Sequence, residues 1–227
     1  NLPNGSKYKY NQYVIPCCIE CNSLLSAELE TPLSKAFSRG FDDLVNYIEK
    51  KGYLNLYLWM ALLFIKTHVK DQSLRMYLDR RVEYSSIAKG VGYEWESFHH
   101  VYCLSRVPYT QATLEQNCVG SFFIVPVESI DAEKEFDYMD VSYANTSGVI
   151  IGGIGIITVF GDAGAVYNQI QPTVINKLSG SVTNMQFREL VAHFACCSLH
   201  LKNNPKHSTI SDSSGVQPPR MICTLLN

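Results

Sequence analysis

Two cysteines separated by two residues, Cys18 and Cys21, form the pattern in this chain that is best suited to metal chemistry. Such a pair grips one metal ion from a tight turn, because its two sulfurs converge where the backbone reverses. Asn22 follows where a helix is expected to begin, so its side chain should reach a nearby site. A structural zinc site takes four ligands. The pair therefore predicts the second half of a metal-binding motif whose first half is missing or remote.

Two alternative interpretations of the pair stay open. In the first, the pair and the neighbouring Cys17 are ordinary small buried residues near a turn. In the second, the site is completed within the chain: His99, His100 and Cys103 lie within five residues of one another. Either imidazole together with Cys103 would supply the two ligands that a tetrahedral site still needs.

The segment NQYVIPCCIECN runs from Asn11 to Asn22 and places Pro16 before the cysteine pair. It resembles the closing part of the HNH endonuclease motif, also called the ββα-metal nuclease. The resemblance covers about the first 25 residues. It implies that Asn11 braces a loop and that Cys18 and Cys21 are the second half of a four-cysteine zinc site. It also implies that Asn22 lies near a catalytic divalent metal.

The activity that this resemblance implies is metal-dependent hydrolysis of DNA. In the family, Mg²⁺ or another divalent ion stabilises charge on the scissile phosphate while a His activates water. The zinc is structural. The His-bearing strand and the first Cys pair of the family are not found before Asn11, so we expect them upstream of this chain. The alternative is a non-catalytic, metal-stabilised interaction module, in which the apolar helix over Leu54 to Ile65 and the second-half sheet form a homo-oligomer interface.

Composition limits the remaining possibilities. The chain has 227 residues, of which 46% are hydrophobic and 18% charged, which is typical of a globular protein able to bury a core. Its net charge of −2 does not indicate a strongly basic face. Eight cysteines, several of them adjacent, make a poor disulfide framework and favour a reduced, cytoplasmic protein. The longest apolar runs are too short to span a bilayer, so we expect no membrane partner.

The order of sequence patterns predicts an α+β fold: a zinc-knuckle or ββα remnant with helices, then a small, mostly antiparallel sheet with a covering C-terminal helix. The expected regions are an HNH-like knuckle segment (1–30), a helical region (31–109), an α+β region (110–202) and a coil-like tail (203–227). Expected strands are Gln12–Ile15, Gly120–Val127, Phe136–Tyr143 and Val149–Phe160. Expected helices begin at Thr31-Pro32 and cover Leu54–Val69, Asp71–Arg81 and Thr183–Lys202.

Three further sequence patterns give weaker indications of function. Asp79-Arg80-Arg81 belongs to the densest basic stretch, which suits either a phosphate contact or a solvated helix end. Glu189 and His193 lie one helical turn apart without the spacing of a zinc protease, which favours a pair on a helix surface. The glycines at 152, 153 and 155 lack the spacing of a dinucleotide fingerprint and indicate a bulge or a close backbone approach.

Overall fold

A computed structural model describes residues 2–8, 12–128, 136–203, 205–211 and 218–224. Its helices are α1 (Ile19–Leu25), α2 (Thr31–Phe37), α3 (Phe41–Lys51), α4 (Leu54–Asp71), α5 (Ile87–Val91), α6 (His99–Thr110), α7 (Ala165–Ile170) and α8 (Asn184–Leu199). Its strands are β1 (Thr113–Leu114), β2 (Phe122–Glu128), β3 (Phe136–Val141), β4 (Thr146–Ile151), β5 (Ile154–Val159), β6 (Val182–Thr183), β7 (Lys206–Ile210) and β8 (Arg220–Thr224).

The fold is α+β, as the sequence predicts. The main sheet has the strand order β3-β4-β5-β2-β6, and only its β2–β6 pair is parallel. A second sheet has the order β1-β8-β7. None of the helices in the described ranges is long and apolar enough to cross a membrane.

The main sheet is the middle layer between two sets of helices. Because side chains alternate along a strand, β5 points Ile154 and Ile156 into the core that contains α4, and Ile157 and Val159 into the core that contains α8. Gly155 lets α8 approach this second face closely, since a Cβ there would lie 2.5 Å from the ring of Phe187. The expected covering C-terminal helix is thus confirmed, together with the expected close approach at Gly155.

Helix α4 is the centre of the larger core. Every residue from 56 to 65 is buried, which suits a helix that is apolar on all sides. The N-terminal helices and α6 pack around it on one side, and the main sheet packs on the other. Its apolar surface is therefore used inside the chain itself, and the suggestion that this helix forms an oligomer interface is wrong.

The Thr31-Pro32 signal does not begin a separate helix, because the first helix already begins at Ile19, close to the start expected at Asn22. Helices α1 and α2 are joined without a break by a π-helical turn, Ser26–Glu30, in which the N–H of Thr31 donates to the carbonyl of Ser26. Pro32 has no N–H and its ring crowds the preceding turn, and a widened turn accommodates both effects inside a continuous helix.

Four other local predictions are wrong. The expected helix over 71–81 is a loop, closed by a bridge between Arg75 and Ser86. No strand forms over 12–15, although this stretch is described. The expected long strand over 149–160 is a hairpin, because Gly152 and Gly153 adopt the positive φ values of 54° and 79° that a tight turn requires. The tail after residue 203, expected to be coil, contributes β7 and β8, which pair with each other, and β8 also pairs with β1, far earlier in the sequence.

Candidate functional site

The cysteine pair lies across the N-terminus of α1. Cys18 is the N-cap residue, with an extended backbone (φ −69°, ψ 155°), and its Sγ accepts the backbone N–H of Cys21 at 3.2 Å. The first helical hydrogen bond follows, from the N–H of Asn22 to the carbonyl of Cys18 at 2.9 Å. The cap thus replaces the oxygen of an ordinary Ser or Asp cap by a sulfur atom and fixes the turn on which both thiols lie.

The two thiols also affect each other's ionisation. All eight cysteines of the chain are free thiols, and Cys17 and Cys18 are exposed. The hydrogen bond with the Cys18 thiol raises the pKa of the Cys21 thiol, and desolvation and the neighbouring Cys17 and Glu20 add to the effect. Clustered thiols oppose each other's ionisation, whereas a bound cation reverses this and favours the thiolates.

Helix α6 forms the neighbouring wall of this site. Burial raises the pKa of Tyr109 to about 12, and the thiols of Cys17, Cys21 and Cys18 add to the rise because they lie close to the phenol. Arg106, one turn earlier, opposes the rise. The phenol of Tyr109 therefore borders the three thiols.

Cys18 and Cys21 are the two cysteines that the sequence assigns to a structural zinc site. Within the described residues no group of three or more His, Cys, Asp or Glu side chains is arranged to hold a metal ion. The completion by His99, His100 and Cys103 is therefore not formed. Cys103 Sγ lies 3.8 Å from Nε2 of His99, and His100 stacks on a different residue, His207.

Of the two predicted catalytic asparagines, the structure describes only Asn22. Asn22 is exposed on the first turns of α1, directly after the second thiol, where it is free to face a bound ion or substrate. Asn11 lies outside the described residues, so its expected bracing role stays a prediction. Glu189 and His193 are both exposed on α8, in agreement with a pair on a helix surface.

The segment that leads to the thiols is tied to the body of the protein through Asp71, at the C-terminal end of α4. The hydroxyl of Tyr13 donates to one carboxylate oxygen of Asp71, and the hydroxyl of Tyr93 donates to the other at 2.6 Å. Burial raises the pKa of Asp71, while these two hydrogen bonds hold it down. Nearer the start of the chain, the amide of Asn4 donates to the carbonyl of Arg75 at 2.7 Å.

A buried histidine lies one turn before this anchor and was missed at the sequence level. His68 is fully buried, its Nδ1 lies 2.7 Å from the carbonyl of Phe64, and its Nε2 lies 3.6 Å from Oδ1 of Asp140. The sequence does contain an indication of this buried polar site, because His68 and Asp71 are two polar residues one turn apart at the end of an otherwise apolar helix.

A second buried polar cluster joins the main sheet to α7. Asp162 accepts hydrogen bonds from the backbone N–H and the hydroxyl of Ser121 at 2.7 and 2.5 Å, and from the N–H of Val166 at 2.9 Å. The Ser121 hydroxyl in turn accepts from the N–H of Tyr167. Because both side chains are engaged in these bonds, this cluster stabilises the fold.

The chain matches no protein-family model, no curated protein and no solved structure.

Proposed function

We propose that this chain contributes the closing half of an HNH-type nuclease centre and that the protein containing it hydrolyses DNA phosphodiester bonds with the help of a divalent metal ion. The observation that carries the proposal is the N-terminus of α1. There, Cys18 caps the helix and its Sγ accepts the backbone N–H of Cys21 at 3.2 Å, with Asn22 next in sequence.

In this proposal Cys18 and Cys21 hold one side of a structural zinc ion, which keeps the turn closed. Asn22 orients toward the catalytic divalent ion, whose chemistry is to stabilise charge on the scissile phosphate. The general base and the first Cys pair would come from residues that precede Asn1. The hydrogen bond from the Cys21 N–H to Cys18 Sγ supports the zinc assignment, because second-shell donors of this kind orient metal ligands.

The interaction-module alternative has less support from the structure. It relied partly on the apolar helix over 54–65 as an interface, and that helix is buried in the core of its own chain.

The test uses the full-length protein that contains this chain. We expect the purified protein to carry zinc and to nick supercoiled plasmid DNA when Mg²⁺ or Mn²⁺ is added. The substitution Cys21→Ser should remove the zinc and the nicking together. Cys196→Ser is the matched control, because Cys196 is also an exposed thiol on a helix, and it should change neither property.

Two results would overturn the proposal. One is protein that contains no zinc and leaves DNA intact under every divalent ion tried. The other is nicking that persists unchanged in Cys21→Ser after its zinc is lost.

A further inference from the structure

The backbone around Cys18 and Cys21 has the geometry of a disulfide-forming pair. The carbonyl of Cys18 accepts the N–H of Asn22 at 2.9 Å, so residues 18–22 form one closed helical turn. In such a turn, Cα atoms three residues apart lie about 5 Å from each other. A disulfide spans Cα atoms about 4.4–6.8 Å apart, so this turn can close one without a shift of its main chain.

The sulfur of Cys18 lies directly beside the residue that carries the second thiol. It accepts the backbone N–H of Cys21 at 3.2 Å, which holds the Cys18 side chain over the turn instead of away from it. The raised pKa of the Cys21 thiol has the Cys18 side chain as its largest cause, and the two thiols are therefore close neighbours. Rotation of the side chains is enough to bring the two sulfurs together.

Other pairings of neighbouring cysteines have poorer geometry. Cys17 and Cys18 are consecutive, and Cα atoms across a trans peptide lie about 3.8 Å apart, which is below the disulfide range. Cys17 also precedes the N-cap, outside the turn that fixes the other two residues. Cys196 and Cys197 are consecutive as well, within α8. The geometry therefore favours the pairing of Cys18 with Cys21.

The two thiols differ in exposure in the way that disulfide exchange requires. Cys18 is exposed, and Ile19 beside it is 81% exposed, so a small reagent has access to the first sulfur. Cys21 is partly buried. Exchange with a disulfide needs one accessible thiol that attacks and a second thiol within reach that resolves the mixed disulfide. Cys18 fits the attacking role and Cys21 the resolving role.

We propose that Cys18 and Cys21 form a reversible dithiol–disulfide site that is oxidised by a small disulfide such as glutathione disulfide. In the first step the Cys18 thiol gives up its proton and its sulfur attacks glutathione disulfide, whose S–S bond breaks, and one glutathione leaves as a thiol. In the second step the Cys21 sulfur attacks the Cys18 sulfur and expels the other glutathione in the same way. The pair loses two electrons and two protons, and glutathione disulfide is reduced to two thiols.

This redox site goes beyond the nuclease function proposed above and does not depend on it. Metals bind the thiolate, so a disulfide between Cys18 and Cys21 removes both sulfurs as zinc ligands. Bound zinc in turn withholds both sulfurs from the oxidant. The same turn therefore holds either a metal ion or a disulfide, and the redox state of the surroundings decides between them.

The experiment equilibrates the full-length protein that contains this chain with defined mixtures of glutathione and glutathione disulfide, in the presence of a zinc chelator. Free thiols are then alkylated, and the peptides are mapped by mass spectrometry. We expect the peptide that carries Cys17, Cys18 and Cys21 to lose two hydrogens, at every protein concentration. The oxidised fraction should rise from about one tenth to about nine tenths over a roughly hundredfold change in the ratio of squared glutathione to glutathione disulfide, as for a two-electron couple.

Single substitutions assign the role of each thiol. Cys21→Ser should stop at the mixed disulfide and carry one glutathione on Cys18. Cys18→Ser should form no disulfide within this peptide. Cys17→Ser is the matched control, because it removes the neighbouring exposed thiol, and it should oxidise like the wild type. Cys196 and Cys197 serve as an internal control in the same samples and should form no disulfide with each other.

Three results would overturn the redox site. They are full alkylation of all three thiols at every glutathione ratio, an internal disulfide that persists unchanged in Cys18→Ser or Cys21→Ser, and a bond from Cys18 to a cysteine outside this peptide. The outcome is separate from that of the nuclease proposal. A reversible disulfide in a protein that binds no zinc and nicks no DNA supports the redox site and removes the nuclease function, whereas zinc binding and nicking without any disulfide does the reverse.

Discussion

The imidazole rings of His100 and His207 lie face to face, with centroids 3.6 Å apart and planes inclined by 21°. Nε2 of His100 lies 3.1 Å from the carbonyl of Cys118, and Nε2 of His207 lies 3.0 Å from the carbonyl of Gly161. Since a carbonyl only accepts, each Nε2 carries a hydrogen. The Nδ1 atoms are buried and have no hydrogen-bond partner among the described residues. This stacked pair joins α6, the segment after β5, and β7.

The stacked pair predicts that the protein loses stability in acid. Burial and the neighbouring His207 lower the pKa of His100 to about 3, and burial lowers that of His207 as well. The unfolded chain takes up these protons near the ordinary histidine pKa of about 6.5, whereas the folded chain resists them. Stability is therefore complete above about pH 6.5 and is lost as the pH falls toward the folded-state values, by about 1.4 kcal/mol per pH unit for each proton.

Urea unfolding between neutral and acid pH measures this slope. His207→Phe keeps a stacking ring but removes one titrating group, and it also relieves His100 of a neighbouring charge, so the slope should fall. His193→Gln, at an exposed position on α8, is the control and should leave the slope unchanged. An unchanged slope in His207→Phe would contradict the prediction and assign the acid sensitivity to groups outside the stacked pair.

The hydrogen bond between Tyr13 and Asp71 should control how firmly the candidate nuclease segment is held. Tyr13→Phe removes a donor that belongs to the segment and should cost about 1.5–3 kcal/mol, the usual range for a hydrogen bond to a charged group. The measurement is hydrogen exchange of the amides over residues 13–18, which should become faster. Tyr93→Phe is the matched control: it removes the other bond to Asp71 but leaves the segment attached. Equal exchange in both variants would show that the segment is held elsewhere.

Gly155 should be required for α8 to lie against the sheet. A Cβ there would lie 2.5 Å from the Phe187 ring and 2.8 Å from the side chain of Val127, so Gly155→Ala should destabilise the protein by about 1–3 kcal/mol. Thermal unfolding measures the loss. The double variant Gly155→Ala/Phe187→Leu should lose less than the sum of the two single changes, because the smaller side chain relieves the overlap. Additive losses would contradict this account of the interface.

Asp162 should be the most sensitive polar residue of the core. Asp162→Ala leaves the donors of Ser121 and Val166 buried without an acceptor, and we expect a loss of about 3 kcal/mol or more. Asp42→Ala, in the exposed first turn of α3, should cost only about 0.3–1 kcal/mol through the helix dipole. Similar losses from the two changes, in chemical denaturation, would show that the Asp162 network contributes little.

Sequence reasoning succeeded where local signals agree with the fold. Thr183 and Gln186 form the capping box that starts α8, and the apolar periodicity of that helix matches its buried face. The cysteine pair was likewise correctly placed at a helix start, because its spacing is itself a local geometric constraint. These features depend on residues a few positions apart.

It failed where the partner is distant in sequence. His207 and Met221 belong to a tail rich in Pro, Ser and Asn, a composition that predicts coil. In the structure both residues pair with segments about a hundred residues earlier in the chain. The anchor at Asp71 was missed for the same reason, since Tyr13 and Tyr93 come from either side of it along the chain. Residues 72–81 form a loop instead of the helix expected over 71–81, and Tyr77 and Leu78 in this loop face solvent.

The position of β8 in its sheet has a consequence for how the protein is made. Residues 220–224 form the middle strand, between β1 and β7, and Met221 is 2% exposed in the same core as α4. A nascent chain therefore cannot assemble this sheet until residue 224 has left the ribosome, long after α4 and α6 have been synthesised. Until then one side of the central core is open. The interval before β8 is added leaves apolar surface exposed, and such surface promotes aggregation.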